Sequence, residues 1–228
     1  MSVHLSRFTF SLITLLAVSS LSLVAQEVAP YAKEIFKDDF SAAELGKGWK
    51  LFKAESKIEK GVLVIAMPDG GDHAAVHSVV TPPLANMEIA LSFRFEGAKK
   101  VDVTLNDKDY KGSHAGHLAR VSISQNDVTI RDEKTGIFKN EIYEMTKKDA
   151  ATLEILKTKT KSFPVALSPS TWYKLLVRVE GDAIIVTIDD KETGRFASEG
   201  FSHATKTKPA IVVPGKYVHI DNVEIRAP

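Results

Sequence analysis

The sequence predicts an all-β protein, built as a sandwich of two antiparallel sheets. Three observations predict it. Apolar and polar residues alternate at period two in several short segments, turns rich in Gly, Asp and Asn separate these segments, and the two ends of the chain each read as a strand. The terminal strands, residues 36–40 and 218–225, resemble the first and last strands of one closed unit. We expect roughly a dozen strands in a single domain spanning residues 26–228.

Residues 1–25 have the pattern of an export signal. Arg7 precedes a largely apolar run, and Ala25 offers a small residue before Gln26 for signal peptidase. An uncleaved anchor is the alternative, because residues 8–25 supply about 18 mostly apolar positions. We expect cleavage, and therefore a secreted or periplasmic protein with no membrane attachment.

The amino-acid composition limits how the fold is stabilised and which classes of partner the protein can bind. The chain has no cysteine, so the fold must depend on its apolar core and not on disulfides. Lys and Arg number 30 against 29 Asp and Glu; removing Arg7 with the signal leaves 29 against 29. A neutral chain lacks the basic surface that nucleic-acid binding requires, so we expect no nucleic-acid partner.

The first clear strand is residues 87–96, where every odd position from Met87 to Phe95 is apolar and the even positions are small, polar or charged. This alternation is typical of a strand with one buried face. The same pattern predicts strands at residues 101–105, 121–123, 128–130 and 175–180.

A polar, Gly-containing loop separates two of these strands and carries most of the candidate chemistry. Loops at the rim of a sheet often hold functional residues. A sugar or a divalent metal ion could be bound by Tyr110, His114, His117 and Arg120 of this loop. An enzyme would use His117 with nearby Asp107 or Asp109 as its catalytic groups. A surface loop held by internal hydrogen bonds is the alternative.

One segment breaks the period of two. Residues 144–157 are rich in helix formers, and Ala150, Leu153 and Leu156 fall at helical spacing. We expect one short helical insertion there.

Two turns follow this insertion. Gly181, between Glu180 and Asp182, predicts a hairpin, and residues 189–194 predict the next reversal. Residues 128–138 echo residues 186–196 in order and type, either as two hairpins with shared turn chemistry or as duplicated ligand loops.

The last strand contains a change of parity. Val218 and Ile220 have one parity and Val223 and Ile225 have the other, so we expect a bulge near Asp221-Asn222.

Among the aromatic residues, Trp49 follows a Gly-Lys-Gly turn and is a candidate sugar-binding surface or a core residue.

Signatures of several common enzymes are absent from the sequence. Glu-x-Asp-x-Glu, Gly-x-Ser-x-Gly, His-Glu-x-x-His and Gly-x-x-x-x-Gly-Lys do not occur. This excludes laminarinase-type glycosidases, hydrolases with a nucleophile elbow, zinc proteases and P-loop nucleotide-binding proteins of the ordinary kinds.

Seven short motifs between residues 38 and 223 carry a family resemblance that covers residues 36–225. They are Asp38-Asp39-Phe40, Gly48-Trp49, Gly61-Val62-Leu63, Gly116-His117-Leu118-Ala119-Arg120-Val121, Trp172-Tyr173, Glu180-Gly181-Asp182 and Asp221-Asn222-Val223. On these motifs the chain resembles the secreted concanavalin-A-like proteins grouped around the 3-keto-disaccharide hydrolase-like domain. The resemblance implies a jelly roll and carbohydrate-related work. Two stretches of larger members, Asn-Ser-Gly-Ile and Glu-x-Gln-Ile-x-Asp, are missing, so only Gly116-His117-x-x-Arg120 is carried over as a candidate site.

Jelly rolls of this shape often hold a structural calcium ion between the last and first strands. The resemblance therefore implies a Ca²⁺ site formed by Asp221 with Asp38 or Asp39, since calcium prefers carboxylate and carbonyl oxygens. A polar cap on the sheet edge is the alternative. No other cofactor is expected.

Together these observations favour a secreted β-sandwich that recognises a carbohydrate. An enzyme of the keto-sugar hydrolase or lyase type is the second hypothesis. An envelope or extracellular module that binds another protein is the third.

Overall fold

The computed structural model describes residues 29–228. The predicted export signal, residues 1–25, lies outside the described residues. No helix within residues 29–228 has the length and apolar character needed to cross a bilayer.

The described chain contains fifteen strands. In chain order they are β1 (Lys33–Asp38), β2 (Trp49–Phe52), β3 (Glu55–Glu59), β4 (Val62–Ala66), β5 (Ala75–Val79), β6 (Met87–Phe95), β7 (Lys100–Asn106), β8 (His117–Ser124), β9 (Asp127–Asp132), β10 (Thr160–Pro164), β11 (Tyr173–Glu180), β12 (Ala183–Ile188), β13 (Lys191–Ala197), β14 (Ala210–Val213) and β15 (Lys216–Ala227).

The strands form two antiparallel sheets. The eight-stranded sheet has the order β13-β12-β11-β6-β15-β4-β3, with β1 also paired to β15, and the seven-stranded sheet has the order β10-β9-β8-β7-β14-β5-β2. All strands predicted from the alternation are present, and the two-sheet antiparallel sandwich is confirmed.

The first and last strands pair as predicted. Lys33 lies opposite Ala227 and Asp38 lies opposite Val223. The predicted bulge is also present, because the pairing of β15 with β6 skips residues between Asp221 and Glu224, and Asn222 has a φ of 50°.

The hairpin at Gly181 is confirmed, with φ of 60° at that glycine. The predicted reversal over residues 189–194 is wrong in extent. Asp189 and Asp190 alone form the turn, both with positive φ, and β13 begins at Lys191.

The echo between residues 128–138 and 186–196 does not correspond to two similar hairpins. After β9, residues 133–138 form turns that lead into a one-turn helix, α1 (Asn140–Tyr143), instead of a returning strand.

The helical insertion is confirmed but starts later than predicted. Helix α2 spans Ala150–Thr158, and residues 144–149 lie outside it. Asp149 sets the boundary because its carboxylate accepts a hydrogen bond of 2.7 Å from the backbone amide of Thr152, a good N-cap contact. Leu153 and Ile155 are about half exposed.

The core lies between the sheets and contains the inward residues of both, including Phe93, Phe95 and Ile220. Trp49 belongs to this core, with only 5% of its surface exposed. Its indole packs against Phe40 and donates a 2.7 Å hydrogen bond from Nε1 to Asp38. The prediction that Trp49 offers a surface for a sugar is therefore wrong, because the ring is enclosed.

Candidate functional site

Polar side chains line the outer face of two neighbouring central strands, β7 and β8. The alternation sends the apolar residues of both strands into the core, so Asp102, Thr104 and Asn106 of β7 face outward beside Arg120 and Ser122 of β8. The register sets Asp102 opposite Ser122 and Thr104 opposite Arg120. The result is a polar strip on the seven-stranded sheet.

Arg120 joins two buried carboxylates across this strip. Its Nε donates a 2.6 Å hydrogen bond to Glu133 and its Nη1 donates a 2.8 Å hydrogen bond to Asp102. Only 1% and 2% of the two acidic side chains are exposed. Burial raises the pKa of Glu133 above its ordinary value, although the Arg120 guanidinium acts in the opposite direction.

Three buried polar atoms of this cluster have no hydrogen-bond partner within the described chain. They are Oδ1 of Asp102, Oγ of Ser122 and Oε2 of Glu133. Buried polar groups are almost always paired, because an unpaired one loses its bonds to water without replacement. These atoms are shielded from solvent, so a molecule that supplies hydroxyl groups would pair with them by entering the cluster.

His117 lies at the end of the strip. Its Nδ1 is 2.7 Å from Oδ1 of Asn106 and 3.7 Å from Oε2 of Glu133. The Asn106 amide nitrogen donates to Thr104 and to the Lys208 carbonyl, which leaves Oδ1 as the acceptor. His117 therefore carries its proton on Nδ1 and keeps a lone pair on Nε2.

The His117 ring is neutral over a wide pH range. Burial, followed by the charges of Arg120 and His114, lowers the pKa of His117 to about 4. A neutral imidazole with one free lone pair can accept a proton or a hydrogen bond from a ligand.

Four rings form an aromatic wall beside the strip. Phe138 stacks on His117 with ring centres 4.6 Å apart, and Tyr143 stacks on His114 with ring centres 4.0 Å apart. Tyr143 is 44% exposed. We call His114, His117, Phe138 and Tyr143 the aromatic wall; it presents a flat apolar surface at the edge of the polar strip.

Asp107 holds the loop that precedes β8. Burial acts to raise the pKa of Asp107. Hydrogen bonds from Thr205, the Asp109 amide and His203 outweigh this effect and hold the pKa well below its ordinary range. No residue with a side chain fits at Gly116, because an added Cβ would lie 2.0 Å from the backbone carbonyl oxygen of Asp107. Asp107 thus anchors the loop that positions His117.

The structure brings together some of the residues predicted for the site and separates others. His114, His117 and Arg120 gather at the strip and its wall. Asp109 is exposed and pairs with Lys108, and Tyr110 packs on His203 with ring centres 4.7 Å apart. The acidic neighbour of His117 is Glu133, where the sequence suggested Asp107 or Asp109.

Sequence reasoning missed several residues of the cluster. Asp102 and Asn106 alternate with the apolar Val101 and Val103, and this alternation predicts that their side chains point outward. Glu133 and Phe138 come from the turns after β9 and had no such signal. The missed residues are Asp102, Asn106, Ser122, Glu133 and Phe138.

The three aspartates considered for calcium are engaged elsewhere. Asp38 accepts hydrogen bonds from the Phe40 amide and from Trp49, Asp39 accepts from the Ser41 amide, and Asp221 accepts from the Asn222 amide. Within residues 29–228 no three His, Cys, Asp or Glu side chains are arranged to hold a metal ion. These carboxylates make local contacts at turns and strand ends, and a calcium ion bound by them stays a prediction.

Comparison with known proteins identifies the family. The sequence profile of the family described as "3-keto-alpha-glucoside-1,2-lyase-like domain" matches residues 35–226. The chain belongs to this family. The match covers both the polar strip and the aromatic wall, and it confirms the resemblance drawn from the seven short motifs. No curated protein is significantly similar in sequence to the chain.

Solved structures similar to this 3-keto-alpha-glucoside-1,2-lyase-like domain confirm the jelly-roll fold. The carbohydrate binding module CBM66 from Bacillus subtilis is 11% identical, with a TM-score of 0.52 over 79% of this chain and 96% of that chain. A GlcNAcα1-4Gal releasing endo-β-galactosidase from Clostridium perfringens is 10% identical, with a TM-score of 0.57 over 87% of this chain and 63% of that chain. A sialidase is 12% identical, with a TM-score of 0.58 over 87% of this chain, which spans 18% of the sialidase.

Proposed function

We propose that the protein binds a carbohydrate on the outer face of its seven-stranded sheet. The observation that carries this proposal is the set of three buried, unpaired polar atoms around Arg120, on Asp102, Ser122 and Glu133. Membership of a family described by its action on keto-glucosides supports it, as do structural neighbours that include a carbohydrate binding module.

A sugar supplies what these atoms lack. Two ring hydroxyls can donate to Oδ1 of Asp102 and Oε2 of Glu133, while a third accepts from Ser122. The apolar face of the sugar ring can pack against the exposed ring of Tyr143. Arg120 already fixes both carboxylates, but because they are almost fully enclosed a neighbouring side chain must move aside when the sugar binds.

The variant Ser122→Ala tests the proposal. The Ser122 hydroxyl makes no internal bond, so its removal should leave the free energy of unfolding unchanged or slightly higher, while glycan affinity falls by about tenfold. Affinity is measured on a glycan array and then by calorimetry with the best glycan. Ser78→Ala is the matched control on β5: its hydroxyl donates to the Lys50 carbonyl, so stability falls by about 1 kcal/mol while binding persists. Unchanged glycan affinity in Ser122→Ala would contradict the proposal.

Catalysis at the same place is a second candidate, favoured by the contact between His117 and Glu133. Burial raises the pKa of Glu133 and lowers the pKa of His117, so a buried carboxyl group lies beside a neutral imidazole. In an elimination from a 3-keto-glucoside, Nε2 of His117 would take the proton from the carbon between the keto group and the glycosidic carbon. A double bond would form between these two carbons as the bond to the departing oxygen breaks, and the His117 imidazolium would return the proton to that oxygen. The Glu133 carboxyl group, 3.7 Å from Nδ1, would stabilise the imidazolium. Sugar release from 3-keto-glucosides by wild type and by His117→Gln tests this role; equal rates would exclude it.

We also propose that the protein is exported, on the pattern of residues 1–25. Expression of the full chain in a bacterium, followed by fractionation and N-terminal sequencing, tests it. A mature protein beginning at Gln26 outside the cytoplasm is the expected result, and an uncleaved chain in the membrane fraction would contradict it.

A further inference from the structure

An open groove crosses the outer face of the other sheet, away from the polar strip. Ala90 and Ser92 of β6 form its floor. On the neighbouring strand β11, Leu176 is paired with Ala90 and Lys174 with Ser92, and both also line the groove. The groove has a volume of ≈ 380 Å³, toward the small end of the roughly 300–1,000 Å³ of ligand-binding pockets. Small floor residues leave room here that longer side chains would fill.

The bulge in β15 shapes the opposite side of the groove. Ile220 and Val223 on either side of it are both buried, so the core keeps its contacts through the change of parity. The inserted residue, Asn222, is exposed, has a φ of 50° and lines the groove. Bulges commonly redirect a side chain at a binding site, and here the redirected group is an amide that can both donate and accept.

An exposed tryptophan lies near the groove, on the same face of the sheet. Tyr173 pairs with Phe93, so Trp172 lies beside Arg94. Arg94 and Ser92 are two residues apart on β6, so Trp172 lies on the face of the sheet that carries Ser92. The Arg94 guanidinium carbon lies 5.1 Å from the centre of the Trp172 ring, a cation–π contact, and Trp172 is 38% exposed.

Arg94 is itself held in place. Its Nε lies 2.7 Å from Glu96 and its Nη2 donates a 2.9 Å hydrogen bond to Nδ1 of His219 on the neighbouring strand. The Trp172 ring is therefore supported by a fixed partner, as preorganised binding surfaces are.

We propose that this groove is a second carbohydrate site, which takes a stretch of an uncharged polysaccharide chain. Trp172 offers a flat surface for a sugar ring, and Asn222 and Thr187 offer hydrogen bonds to its hydroxyls. Glu96 offsets the charge of Arg94, and Asp190 offsets that of Lys174, so the groove does not favour an acidic ligand. The groove is open and crosses four neighbouring strands, which suits a stretch of a polymer, and this proposal stands independently of the polar strip.

Intrinsic fluorescence reports on this groove selectively. The chain has two tryptophans, and Trp49 is buried, so a ligand-dependent change in emission arises from Trp172. The probes are six-residue neutral oligosaccharides of glucose, xylose, mannose and galactose. We expect at least one to shift the emission of the wild type, and the shift to persist in Ser122→Ala, which changes only the other sheet.

Two variants locate the binding. Trp172→Ala and Asn222→Gly should each weaken binding of that oligosaccharide at least tenfold by calorimetry; glycine keeps the positive φ, so the second variant preserves the bulge. Phe52→Ala, which removes an aromatic ring that is 53% exposed on the other sheet, should bind normally. The proposal is overturned if no oligosaccharide shifts the emission, or if Asn222→Gly binds as tightly as wild type.

Discussion

The hydroxyl of Ser56 and Nε2 of His77 lie 2.5 Å apart and connect the two sheets through the interior. Ser56 belongs to β3 of the eight-stranded sheet and His77 to β5 of the seven-stranded sheet. His77 is fully buried beside Trp49, and this burial lowers the pKa of His77 to about 4. The ring is therefore neutral in the folded protein well below neutral pH.

The protein should lose stability as the pH falls from 6.5 towards 4. In the unfolded chain His77 takes up a proton near its ordinary pKa of 6.5, whereas the folded chain takes it up only near 4. Between these values the unfolded state binds more protons, so the free energy of unfolding falls with falling pH. The full shift amounts to about 3 kcal/mol from this residue. Urea unfolding at several pH values measures it.

Two variants separate the contribution of His77 from the rest. His117 acts in the same direction and Glu133 in the opposite one, so the comparison is between chains at each pH. His77→Leu should flatten the dependence between pH 6.5 and 4, and His73→Leu, at an exposed position, should leave it as in wild type. Identical slopes in all three chains would refute the assignment to His77.

Removing Arg120 should destabilise the fold strongly. Arg120→Leu leaves Glu133 and Asp102 buried without their cation, and breaking a buried ion pair from one side costs about 3–5 kcal/mol. Arg195→Leu is the control, because Arg195 and its partner Glu192 are about half exposed and such a pair contributes about 1 kcal/mol or less. Chemical denaturation of both variants gives the comparison; equal losses would show that the Arg120 cluster is open to water.

Gly116 and Gly61 should respond differently to alanine. Both have positive φ, 69° and 76°, which costs an alanine about 1 kcal/mol at either position. At Gly116 the new Cβ would also meet the Asp107 carbonyl, whereas at Gly61 nothing lies within 4 Å. Gly116→Ala should therefore lose about 1–3 kcal/mol more than Gly61→Ala in thermal or chemical unfolding. Matching losses would mean that the loop yields without strain.

Tyr143→Ala should weaken glycan binding while leaving the fold intact. The ring is 44% exposed, so its loss should change stability by no more than about 0.5 kcal/mol. Losing the stacking surface of the aromatic wall should lower affinity about tenfold, which is about 1.4 kcal/mol. Calorimetry with a glycan that binds wild type measures both this variant and Phe52→Ala, whose exposed ring lies on a distant strand of the same sheet. Full affinity in Tyr143→Ala would remove the wall from the site.

The architecture was predictable because it rests on local alternation. Residues 87–96 show one buried face in the sequence, and β6 has that face in the core. The parity change between Ile220 and Val223 predicted the bulge for the same reason: each apolar residue must reach one interior. Boundaries set by a single side chain, such as the start of α2 at the Asp149 cap, were not visible in that pattern.

The candidate site was only partly predictable because it depends on register between strands. Parity can place Asp102 and Arg120 on outer faces, but only the pairing of β7 with β8 shows that they meet. Glu133 reaches the pair from a turn whose path no periodicity describes. Trp49 was ambiguous because an aromatic residue after a turn serves equally well in a core or on a surface.

The pairing of β1 with β15 sets how the domain would respond to mechanical load. Lys33 and Ala227 lie opposite each other, at the same end of an antiparallel pair. A force that draws these two residues apart loads the hydrogen bonds between the strands one at a time, as in opening a zipper. Strand β1 would therefore detach at low force, while β15 stays held between β4 and β6.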